Sequence, residues 1–61
     1  MIIFRATATN ALGYTFAFTF RAFNWNGIQE VADVALKDIV DGDPLHQKLG
    51  PWAASQIDIG A

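Results

Sequence analysis

The sequence predicts a small α+β fold: a two-layer ββαβ sandwich whose sheet, in the order 2-1-3, carries one helix on an aromatic face. Three observations predict it. From Tyr14 to Ala22, aromatic rings occupy positions 14, 16, 18 and 20, while small or polar residues fill the odd positions between them. That period of two is the signature of a strand with one buried face. Ile28, Val31, Ala32, Ala35, Leu36 and Ile39 then recur at helical spacing, as the buried stripe of an amphipathic helix does. Ile57-Asp58-Ile59 alternates again near the end of the chain and reads as a short strand.

The first strand is expected over Ile2 to Thr9, with Ile2, Phe4, Ala6 and Ala8 on one face and Ile3, Arg5, Thr7 and Thr9 on the other. The second runs from about Tyr14 to Phe23. A three-residue hairpin loop at Ala11, Leu12 and Gly13 puts Gly13 in the left-handed conformation, which has no steric penalty without a Cβ. Asn10 suits the first turn position. This register sets Asn10 opposite Tyr14, Ala8 opposite Phe16, Ala6 opposite Phe18 and Phe4 opposite Phe20, so both apolar faces coincide. A slip of one residue would turn one strand's core set to water.

The helix is expected over about 26 to 41, capped by Asn24 or Asn26, with Gln29 three residues beyond Asn26 as in a capping box. Gln29, Glu30, Asp33, Lys37, Asp38 and Asp41 cover its outer side, and Asp33 and Lys37 form an i,i+4 pair in the favourable order. Gly42 and Pro44 stop it. Leu45 and Leu49 fit a further helical turn that Gly50-Pro51 would end; between 45 and 56 helix and loop both remain open. A right-handed crossover through the helix sets the third strand parallel to the second and beside the first.

A chain of 61 residues forms one domain, 1–61, and buries only about 60 % of its unfolded surface. Such scaffolds ordinarily add disulfides, a metal or a partner. Cysteine is absent and there is one histidine, so dense aromatic packing and self-association are the supports left, and a homodimer is the expected form. The net charge of −2 does not favour a phosphate-binding surface. No basic leader follows Met1, and no apolar run approaches the ~20 residues of a membrane span; a cytoplasmic location is expected.

No catalytic constellation emerges. His46 is the single neutral-pH titrating side chain, and Ser55, Asp43 and Asp58 are its conceivable partners in a triad, but a loop histidine in water accounts for it better. Asp41 and Asp43 read as solvated or turn-forming residues. The glycines at 13, 27, 42, 50 and 60 make no phosphate loop, and no cofactor or metal is implied. What remains are candidate partner-binding surfaces. One is the open sheet face, where Arg5 and Arg21 lie with Ile3 and Phe23; arginine beside exposed apolar groups is a frequent hot-spot composition. Another is the acidic helix side and its exit, Glu30, Asp33, Asp38, Asp41 and Asp43, which would suit a basic groove. Trp25 and Trp52 read first as lids on the core edge, and with Phe23 they would make one exposed apolar patch.

These features describe a non-enzymatic protein-binding module or inhibitor. The hairpin opened by Met-Ile-Ile-Phe, the helix Asn-Gly-Ile-Gln-Glu-Val-Ala-Asp-Val-Ala-Leu and the short closing strand resemble small phage-encoded anti-CRISPR proteins in size, charge and element order. That resemblance implies an inhibitor that acts in the host bacterial cytoplasm. It would bind a CRISPR effector subunit and block its DNA access, in some cases as a nucleic-acid mimic that presents carboxylates where phosphates would lie. The alternatives are a structural or assembly protein, or an antitoxin-like one, acting through oligomerisation, and a weak nucleic-acid binder using Arg5 and Arg21 on the open sheet face. Antitoxins with a hairpin-plus-helix start resemble the first forty residues, but their usual proline-rich segment before the helix is missing.

Overall fold

A computed structural model of the chain describes residues 1–60. The order of elements is β1 (Ile2–Asn10), β2 (Thr15–Ala22), α1 (Ile28–Asp41), α2 (Pro44–Leu49) and β3 (Trp52–Ile59). β1 is the central strand of a three-stranded sheet of order β2-β1-β3. It pairs antiparallel with both neighbours, so β2 and β3 run parallel to each other, as the crossover through α1 requires.

The hairpin register follows from matching small residues to large. Ala8 faces Phe16, Ala6 faces Phe18 and Phe4 faces Phe20. The alanines leave room for the rings, and Phe4 stacks on Phe20 with centroids 5.6 Å apart. Phe4, Ala6, Ala8, Phe18 and Phe20 are buried together with Ala32 and Leu36 of α1 and Ala54 of β3. Burying each Phe contributes up to roughly 3 kcal/mol, so the three paired phenylalanines dominate this core.

The rings are not all shielded by one helix. Tyr14 is 58 % exposed, because β2 begins only at Thr15 and α1 does not reach over the hairpin turn. Phe16 is half-buried and is covered by α2 and β3: it lies 4.6 Å from the His46 ring and 4.9 Å from the Trp52 ring. The stretch 45–56 thus contains a short helix and the start of β3.

The hairpin turn depends on Asn10, the one buried polar residue among the described residues. Its Oδ1 accepts from the backbone N–H groups of Leu12 and Tyr14 at 3.1 and 2.9 Å. Its Nδ2 donates to the carbonyl of Leu49 at 2.9 Å, which ties the turn to the end of α2. Gly13 takes φ 87°, as expected for the left-handed position of the loop.

α1 starts differently from expectation. Its N-cap is Gly27, at φ 63° with no side-chain cap bond, rather than Asn24 or Asn26. Asn24 instead accepts from the Asn26 N–H at 2.9 Å, closing an Asx turn ahead of the helix. Gln29 makes no capping box; its Nε2 reaches Asp33 at 3.0 Å and the Ala54 carbonyl at 3.1 Å. The second of these bonds draws α1 toward β3, on which it packs more closely than on β2. Val40 therefore joins the core, while Ile39, on the β2 side, stays 36 % exposed.

β3 is longer than the predicted Ile57–Ile59 and is bulged. Its register against β1 shifts between Thr7↔Ser55 and Arg5↔Asp58, where Gln56 adopts φ 54°. The extra residue changes the alternation. Trp52 and Ala54 face the core before the bulge, and Ile57 packs against it afterwards. Gln56 turns to the open face, where its Oε1 accepts from the Thr7 hydroxyl at 3.4 Å. Without the bulge, Asp58 would be aimed at the core and Ile57 at water.

Two stability predictions follow from these contacts. Asn10→Ala removes three hydrogen bonds at a buried site and should cost on the order of 2–3 kcal/mol in urea denaturation; a loss under about 0.5 kcal/mol would contradict the role given to Asn10. At position 56 the usual strand ranking should invert. Gln56→Gly should be more stable than Gln56→Val by at least about 1 kcal/mol, since a residue with a Cβ is strained at left-handed φ, whereas in a regular strand valine would lead.

Candidate protein-interaction surface

The outer side of α1 carries Glu30, Asp33, Val34, Lys37, Asp38 and Asp41, all exposed. Steps of three and four residues bring them onto one helical face. Four carboxylates against one ammonium leave this ridge at about −3. Among the described residues, no Lys or Arg side chain lies within ion-pairing distance of a carboxylate; the one close contact of opposite type is Asp43 with the His46 ring. Lys37 therefore forms no ion pair with Asp33, whose Oδ1 accepts from Gln29 instead. Glu30, Asp33, Asp38 and Asp41 thus stand without cationic partners.

A cleft lies on each side of the ridge. Toward α2 and β3, a cleft of about 560 Å³ is bordered by Asp33, Lys37 and Asp41 and floored by Pro51 and Trp52. Toward the free edge of β2, a shallower one of about 490 Å³ is lined by Phe20, Val31 and Val34, with Glu30, Asp38 and Arg21 at its rim. The displacement of α1 toward β3 opens this second cleft.

Asp43 sits apart from the ridge, at the N-cap of α2. Its Oδ1 accepts from the Leu45 N–H at 3.0 Å, and its Oδ2 lies 2.7 Å from His46 Nδ1. That contact is short enough for an ion pair, but its angle denies Nδ1 a hydrogen bond. The backbone of His46 is held as well, since its carbonyl accepts from the Trp52 indole N–H at 2.7 Å. His46 is thus a packed residue between Phe16 and Trp52 rather than a loop histidine in water. Ser55 and Asp58 lie on the opposite face of the sheet, opposite Thr7 and Arg5, so no triad assembles. Among the described residues, no three His, Asp or Glu side chains come together as a metal site would need. No helix there is long and apolar enough to cross a membrane.

The expected aromatic patch is divided. Trp25 packs edge-on against Phe4, 4.9 Å between centroids, while Trp52 packs on Phe16. Phe4 and Phe16 belong to opposite ends of the hairpin, so the two tryptophans close opposite ends of the aromatic layer. Phe23 is 78 % exposed. On the open sheet face, Arg21 pairs with Ile3, and Arg5 lies opposite Asp58 on β3. The carboxylate offsets half of the positive charge available there for nucleic acid.

Sequence reasoning missed one feature of this surface. Val34 is 63 % exposed in the middle of the ridge; its position, four residues from both Glu30 and Asp38, already placed it off the buried stripe. The free edge of β2 follows from the sheet order 2-1-3 that the sequence predicts. Comparison with protein-family models, characterised proteins and solved structures finds no match to this chain.

The two roles of Asp43 can be separated by substitution. Asp43→Ala should destabilise the chain by about 1 kcal/mol through loss of the α2 cap, whereas Asp43→Asn keeps an acceptor for Leu45 and should stay within about 0.5 kcal/mol of wild type. Equal losses in thermal denaturation would shift the weight from the cap to the His46 contact.

Proposed function

We propose that this chain is a non-enzymatic protein-binding inhibitor that docks its acidic α1 ridge into a basic groove of a partner. The groove is one built for nucleic acid, and the partner is a CRISPR effector subunit whose DNA access is blocked, in the manner of the phage anti-CRISPR proteins that the chain resembles. The observation that carries this reading is the linear density of unpaired charge on α1. Glu30 to Asp41 spans about 17 Å of helix axis and carries four carboxylates. Three intervals over that length set them about 5.5 Å apart on average, of the same order as, though sparser than, the 3.4 Å per charge of one DNA strand. Val34 and the clefts beside the ridge give a protein partner apolar contact that a polyanion alone would lack.

The test uses a purified CRISPR effector complex and its target DNA. The wild-type chain should prevent DNA binding in a gel-shift assay. The variant Glu30→Lys, Asp33→Lys, Asp38→Lys should lose at least about a hundredfold in inhibitory potency, three charge contacts at about 1 kcal/mol each. Its circular dichroism and melting should remain near wild type, because all three side chains are exposed. Undiminished inhibition by a folded triple variant would refute the role of the ridge.

A further inference from the structure

We infer that the free edge of β2, together with the cleft between it and α1, is a strand-accepting site for an extended segment of a partner protein that alternates apolar and basic side chains toward the cleft. This deepens the reading above: it takes the partner's positive charge from that reading and adds the conformation in which the partner is held.

The backbone of β2 sets the geometry. The Asn10 N–H donates to the Tyr14 carbonyl at 3.1 Å, which fixes the phase of the β1–β2 ladder. In an antiparallel pair, hydrogen-bonded and non-bonded positions alternate. The amides of Phe16, Phe18, Phe20 and Ala22 therefore point to β1, and those of Thr15, Ala17, Thr19 and Arg21 point outward. β2 is the end strand of the sheet, and all four of these residues are exposed. The other end strand, β3, is interrupted by the Gln56 bulge, a device that blunts edges. β2 has no bulge, no proline and a single charge, Arg21, so it is the competent edge for strand addition.

The cleft above that edge selects what is added. Val34 is 63 % and Ile39 36 % exposed, while Val31 and Ala35 are half-buried on the same side. Alternate side chains of an added strand would cover this strip. Glu30, Asp38 and Arg21 stand at the rim, two carboxylates against one guanidinium, and the carboxylates lie about 12 Å apart along the helix. Residues four apart on a strand are about 13 Å apart, so two basic side chains at that spacing meet both carboxylates. A second copy of this chain fits less well. Antiparallel β2–β2 pairing that uses the outward amides must match odd residues with odd ones. Both α1 helices then fall on the same side of the sheet, so the two acidic ridges approach each other.

The probe is the acetylated, amidated peptide Val-Thr-Lys-Thr-Val-Thr-Lys-Thr-Val, titrated into the full chain and followed by amide hydrogen exchange. Binding should slow exchange at Thr15, Ala17, Thr19 and Arg21 at least tenfold, with little change at the residues already bonded to β1. Thr19→Pro should abolish the effect, since it removes an outward N–H of an edge strand, where proline is tolerated. Val34→Lys leaves the sheet untouched and should weaken binding at least tenfold. Peptide binding without slowed exchange at the four amides would overturn the strand-accepting site while leaving the charged ridge standing. Equal binding of the peptide with glutamine in place of lysine would overturn the basic occupant. Concentration-dependent protection of the same amides without peptide would overturn it in favour of a second copy.

Discussion

The structure depends on the small-to-large matching across β1 and β2. Ala6 and Ala8 make space for Phe18 and Phe16, and Phe4 stacks on Phe20. With no cysteine in the chain, this aromatic layer does the work that disulfides do in many domains of this size. It also fixes which way everything else faces. Because the period of a strand is two, the register that buries these rings also sends Arg5, Arg21 and the threonines to the open face and the outward amides of β2 to the edge. α1 then has one surface on which to bury Ala32 and Leu36, which leaves its carboxylates in water.

The closing segment completes the layer by different means. α2 is short and contributes no buried residue, so packing alone does not hold it. It is held by side-chain bonds at both ends: Asp43 caps it, the Asn10 amide donates to its last carbonyl, that of Leu49, and the Trp52 indole donates to the His46 carbonyl. Its function in the fold is to carry the His46 ring over Phe16. A net hydrogen bond contributes about 1 kcal/mol, so these few bonds are a sizeable part of what keeps α2 on a marginal core.

What could be read from the sequence was what local pattern determines. The alternation around Phe16, Phe18 and Phe20 carried the hairpin and its register, and the 3.6-residue spacing carried α1 and its exposed acids. Other features depended on tertiary neighbours. Tyr14 continues the aromatic period but lies beyond the reach of either helix. Ile39 obeys the helical stripe, yet the Gln29–Ala54 bond pulls α1 away from the side on which it sits. The bulge at Gln56 concealed β3, because Trp52-Ala53-Ala54 and Ile57-Asp58-Ile59 alternate in opposite phase and read as unrelated pieces. The same applies to the surface: the acidic residues were visible, but their division between two cleft rims was not, nor was the separation of Trp25 from Trp52.

One register, corrected once by a bulge, sorts the chain into a buried aromatic face and two exposed surfaces. Nuclear Overhauser contacts between Hα protons of facing, non-hydrogen-bonded residues test it directly. Such contacts are expected for Arg5 with Thr19 and Thr7 with Ala17 across β1–β2, and for Ala8 with Ala54 and Phe4 with Ile59 across β1–β3. A contact of Phe4 with Asp58 in place of Ile59 would mean that β3 runs without its bulge. Ile57 would then face water, and the sorting described here would be wrong.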